Sequence, residues 1–104
     1  MIEIKMITTG VDIPGYKVVE LLGFVQGITV REHFLVAHTD TAKVEFCVHT
    51  RAHAFDAMVA QAVELGANAI IGVRYENCII MESYTEIIAY GTAVLVESTS
   101  EKRV

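Results

Sequence analysis

The chain has 104 residues, 53% of them hydrophobic, and a net charge of −5. That length makes one domain, residues 1–104, able to bury roughly 65% of its unfolded surface; so high an apolar share points to a rich core or to a surface covered by another copy. The acidic balance, the absence of a basic stripe and the lack of Trp exclude a nucleic-acid partner, and apolar runs of only a few residues exclude a membrane helix, which needs ~20.

The first five residues, Met1-Ile2-Glu3-Ile4-Lys5, lack the charged start and apolar block of a signal peptide. Residues 2–8 alternate weakly and predict a short strand. Residues 9–15 are turn chemistry, with Pro14 fixing φ just before Gly15. Residues 16–25 read as a strand, with Val18, Leu22 and Phe24 on one face and Val19, Leu21, Gly23 and Val25 on the other. Gly27 marks a bulge or bend before residues 28–31 continue extended. Residues 32–39 form a connection carrying His33 and His38.

From Asp40 the period changes. Val44, Cys47, Val48, Phe55, Met58, Val59, Ala62 and Leu65 recur at steps of three and four, one face of a 3.6-residue helix. Arg51 falls in that arc, its stem on the apolar surface and its head reaching outward. Thr39, Asp40 and Thr41 are each N-cap candidates, and Gly66 is placed to end the helix in the left-handed region. Residues 69–81 form a second strand. A turn around residues 82–85 leads to a third, residues 86–97, in which Ile87, Ala89, Gly91, Ala93 and Leu95 share one face. The small residues in the middle of that face suit the close approach of a helix. Ile88, Tyr90, Val94 and Val96 make the opposite face apolar as well. A sheet with one wet face should alternate apolar and polar residues, so something else must cover this one.

The order strand, helix, strand, strand predicts a right-handed crossover between two parallel strands, with the most apolar strand between them and antiparallel to both. A helix of about 26 residues spans ~39 Å and a strand of about 11 spans ~37 Å, so one helix can lie along the whole sheet. The fold class is therefore α+β, a two-layer β-α-β-β sandwich with one long helix on a mainly antiparallel sheet.

No base–nucleophile pair, P-loop or C-x-x-C spacing stands in the chain, so the residues give no enzymatic signature. Cys47 and Cys78 fit a cytoplasmic protein with two reduced thiols. His49 and His53 are four apart, so on a helix both imidazoles point the same way, as a metal-binding pair requires. Glu45 and Asp56 flank them and add oxygens, which makes Glu45, His49, His53 and Asp56 the candidate site for a divalent transition metal. The plainer reading is a solvated helix face or a subunit contact. Closure of such a site would draw on another subunit or on His33 and His38. For Arg74, beside Tyr75, the expected partner is Glu76 or a group across the hairpin.

Three segments together resemble the YbjQ family of small bacterial and archaeal proteins, which carry a heavy-metal-binding description. They are Thr8-Thr9 with Ile13-Pro14-Gly15-Tyr16 leading to Leu22-Gly23-Phe24-Val25-Gln26-Gly27; Leu65-Gly66-Ala67-Asn68-Ala69-Ile70-Ile71-Gly72-Val73-Arg74-Tyr75; and Ala89-Tyr90-Gly91-Thr92-Ala93-Val94. The resemblance implies a dodecin-like subunit whose short extra strands help to assemble a homopentamer. It implies no catalytic residue. Family members carry a longer segment with a Gly-Gly before the helix; this chain passes through residues 28–39 without it. Any ligand role of that segment is therefore not carried over.

Overall fold

The computed structural model describes residues 2–32, 40–81 and 84–99. After a 3-10 turn, Ile4–Met6, come β1 (Tyr16–Glu32), α1 (Asp40–Glu64), β2 (Ala69–Met81) and β3 (Tyr84–Ser98). The sheet order is β1-β3-β2, and β3 is antiparallel to both neighbours. The expected two-layer α+β arrangement is thus present. Its logic is burial: β3 is apolar on both faces, so it takes the one position with a strand on either side.

Cross-strand partners share a face of the sheet. Val25, Gly27 and Thr29 of β1 stand opposite Gly91, Ala89 and Ile87 of β3, and Val25, Thr29, Ile87 and Ala89 are buried. This is the face under α1. The marker of contact is Gly27, where a side chain would run into the helix backbone at Ala54 and Met58. Gly27 therefore makes no bulge. The register shifts of β1 fall earlier, between Val18 and Glu20 and between Leu21 and Gly23, and they break the simple alternation expected for residues 16–25.

The helix meets the sheet along the expected stripe from Phe55 to Ala62, but not in its first turns. Thr50, Ala54, Met58 and Ala62 are its buried residues, a row of i+4 steps, with Phe55 and Val59 packed alongside. Val44 and Val48, both expected inside, are each 60% exposed, and Cys47 is exposed too. An i+4 row is inclined by about 26° to the helix axis, so a helix crossing a sheet along that row leaves any stripe parallel to its axis. The small side chains of Ala54 and Ala62 favour this row because they let the helix come close. Thr50 closes its own polar account, its Oγ1 donating to Phe46 O at 2.6 Å.

At the other end Asn68 behaves as an extra strand residue. Its side-chain Nδ2 donates to Val96 O at 3.0 Å, while Val96 N donates to its Oδ1 at 2.9 Å. Near this clamp the burial of β3 changes step: Ala93, Val94 and Val96 are all buried, while Leu95 is only half-buried. The N-terminal segment is a turn plus a single parallel bridge, Ile7 to Ile70, rather than the short strand expected for residues 2–8. Ile2, Met6 and Ile13 nevertheless join the core. Of the turn expected at residues 82–85, Tyr84 and Thr85 belong to β3, with Tyr84 paired to Met81. Residues 82–83, the candidate cap Thr39, His33 and His38 lie outside the described residues.

Among the described residues no element covers the second face of the sheet. Phe24, Ile28 and Val30 of β1 are 62%, 48% and 43% exposed, beside half-buried Ile88 and Tyr90 of β3. The whole measures 58 × 25 × 20 Å with a radius of gyration of 16.5 Å, against ~13 Å for a compact domain of this length. Among the described residues no helix is long and apolar enough to cross a membrane.

Candidate functional site

The exposed side of α1 carries Glu45, His49, His53 and Asp56, all solvent-accessible. The i+4 spacing does put the two histidines on one side of the helix, but the structure then divides the quartet. His53 turns toward β1, where Arg31 Nη2 donates to its Nδ1 at 2.6 Å. With Arg31 as donor, Nδ1 is the accepting nitrogen and is taken up by this contact. Asp56 turns the other way, into a groove formed with Ile2, Ile4 and Ile7. It is also close enough to Tyr75 of β2 to raise that phenol's pKa. No group of three or more His, Cys, Asp or Glu gathers as a metal ion would need, among the described residues. The four candidates alone therefore do not fit a closed metal centre.

Arg51 lays its guanidinium over the Tyr75 ring at 5.6 Å, a cation–π contact more specific than the outward reach expected of it. Burial is the largest cause of Tyr75's raised pKa; Arg51 pulls it back down, and Asp56 adds to the rise. Arg74 does not pair with Glu76. Its Nη1 donates to Thr9 O at 2.7 Å and Val73 O at 2.8 Å, fastening the N-terminal segment to β2. Glu76 instead accepts from the Tyr90 hydroxyl at 2.9 Å, and that bond is the main reason the Tyr90 pKa lies above its ordinary 10.0. Phe24 stands beside Tyr90 with ring centres 5.9 Å apart. Tyr90 belongs to the second apolar face of β3 that the sequence leaves to be covered, and Phe24 and Glu76 are the neighbours that the sequence did not assign to it.

Two grooves flank α1. The larger, about 550 Å³, runs between the N-terminal turn and Phe55, Val59, Ala60 and Val63. The smaller, about 300 Å³, is lined by Lys43, Val44, Cys47, Val48 and Arg51, the residues left outside by the choice of helix lane. Both are mainly apolar and neither holds an acid–base pair.

The fold and these surfaces define a small α+β protein, one long helix on one face of a three-stranded antiparallel sheet. Residues 40–97 match the YbjQ family model, whose description reads "Putative heavy-metal-binding". Relatives named UPF0145 protein extend the match. One from Solibacter usitatus is 38% identical, covering 97% of this chain and 100% of that protein. One from Methanothermobacter thermautotrophicus is 44% identical over 82% of this chain and 84% of its own. The chain belongs to this family. A crystal structure of a protein of unknown function from Pediococcus pentosaceus superposes with a TM-score of 0.67. It covers 88% of this chain and 96% of its own at 21% identity, which supports the fold.

Proposed function

We propose that this chain is a non-enzymatic cytoplasmic subunit that acts as a homo-oligomer. The observation that carries the reading is the bare sheet face of Phe24, Ile28 and Val30 beside Ile88 and Tyr90. Contiguous exposed apolar surface of this kind marks an interaction site. The amount of surface agrees with it. The chain exposes 6718 Å², whereas a compact monomer of 11.4 kDa is expected to expose ~5,800 Å². The difference is of the order of the ~800 Å² that one partner gives to a standard interface. Five copies is the number implied by the family resemblance.

The family description favours a second element of the reading, a divalent transition metal or other small ligand held by the assembly. Glu45, His49 and His53 would supply donors on one helix face, with Asp56 on its flank. Donors from a second copy or from residues 33–39 would have to complete the shell. The alternative is a scaffold whose assembly is itself the function. Native mass spectrometry of untagged protein separates these readings. A single species at a multiple of 11.4 kDa with stoichiometric extra mass, lost in His49→Ala/His53→Ala, supports binding. The same multiple with no added mass, before and after zinc or copper is supplied, supports the scaffold. A monomer overturns both.

A further inference from the structure

We propose that the groove between the N-terminal turn and α1 receives the overhanging end of β1 from a neighbouring copy, an inference that rests on the self-association proposed above. β1 is 17 residues long, but the helix layer ends near Gly23, the residue whose Cβ would meet Leu65 Cδ1 at 3.9 Å. The part of β1 before Gly23 thus stands beyond the helix. There it pairs only with the end of β3, from Tyr16 opposite Ser98 to Leu21 opposite Val94. β2 reaches no further along β3 than Ala69 opposite Val94. A two-stranded ribbon is marginal in water without a packed face. Val19, which falls within the first register shift, and Leu21, at the edge of the second, are exposed on this ribbon at 47% and 69%.

The groove offers what those side chains lack. Ile4, Phe55, Val59 and Val63 line it, with Ile4 71% and Val63 41% exposed. Charge agrees as well. Lys17 on the arm has no ion-pair partner among the described residues, and neither has Asp56 on the groove wall. The surface in excess of a compact monomer is of the size one side of an interface requires, so the area admits a second copy. Arm and groove are unlike surfaces, so head-to-tail repetition closes a ring or grows a filament, whereas reciprocal exchange of arms about a two-fold axis would stop at two copies.

The test uses the full chain with Cys47→Ser and Cys78→Ser. Adding both Leu21→Cys and Val63→Cys is expected to give, on oxidation, a covalent ladder up to the size of the assembly. Either substitution alone should give none. Self-linking of one single variant shows a two-fold contact and overturns the proposal, as does an assembled double variant that forms no ladder. Leu21→Glu and Val63→Glu, both at exposed positions, are expected to keep the circular dichroism of the parent and to lower the sedimenting mass. Unchanged mass in both would overturn the arm-in-groove contact while leaving self-association standing. A monomeric parent would overturn both.

Discussion

Gly27 of β1 lies directly beneath the α1 backbone at Ala54. A Cβ at Gly27 would overlap the Ala54 carbonyl oxygen and come within 2.5 Å of Met58 N and 2.8 Å of Ala57 Cβ. Nearly all of that obstruction is helix backbone, which cannot swing aside as a side-chain tip can. Gly27→Ala is therefore expected to cost about 3 kcal/mol, the upper end for overpacking. Urea denaturation at fixed protomer concentration measures it, because the stability of an oligomer depends on concentration. A midpoint unchanged from wild type would mean the helix does not cross the sheet here.

Element order and the central place of β3 were legible in the sequence, because both follow from period and from apolarity on two faces. The helix lane was legible only from Phe55 to Ala62. Val44, Cys47 and Val48 are apolar and correctly spaced, yet the sheet meets the row of Thr50, Ala54, Met58 and Ala62. Which row is used depends on how near the backbones can approach, and Gly27 decides that from 23 residues before Thr50. The histidine pair was legible only as spacing. Arg31, which occupies His53 Nδ1, and the groove that draws Asp56 away come from elements remote in sequence. The pairing of Glu76 with Tyr90 rather than Arg74 was hidden for the same reason.

Gly91 provides a second packing test with a different neighbour. A Cβ there would sit 3.0 Å from both Ile70 Cγ2 and Ile71 O, and 3.3 Å from Val73 Cγ2. The crowding comes from β2, not from the helix expected over this residue. Gly91→Val should cost ~1–3 kcal/mol, and Ile70→Ala, which removes the crowding Cγ2 methyl, should cost less in that chain than in wild type. A purely additive double variant would remove this account.

Asn68 ties the end of the crossover to β3 through both polar groups of Val96. Asn68→Ala leaves that N–H and C=O to find new partners, so a loss of ~1–3 kcal/mol is expected. Amide hydrogen exchange at Val96 should accelerate with it. Wild-type protection at Val96 in the variant would show that the clamp does not hold this edge.

Two tyrosines link stability to alkaline pH. Tyr90 is raised above its ordinary 10.0 chiefly by the hydrogen bond to Glu76, and Tyr84 by the one to Glu32. A phenol with a higher pKa folded than unfolded binds its proton more tightly in the native state. Its contribution is whole below pH 10 and is lost as pH rises through the folded value. Glu76→Ala should therefore bring one tyrosine's absorbance titration down toward 10 and flatten part of the alkaline loss of stability. An identical titration curve would place the Tyr90 hydroxyl elsewhere.

Self-association is the claim on which the rest turns, and sedimentation velocity of untagged wild-type protein over a dilution series down to low micromolar tests it most directly. The bare face of Phe24, Ile28 and Val30 predicts a single boundary at a multiple of 11.4 kDa, with five copies expected. That boundary should persist on dilution. A folded species of 11.4 kDa that is stable across the series would contradict the account.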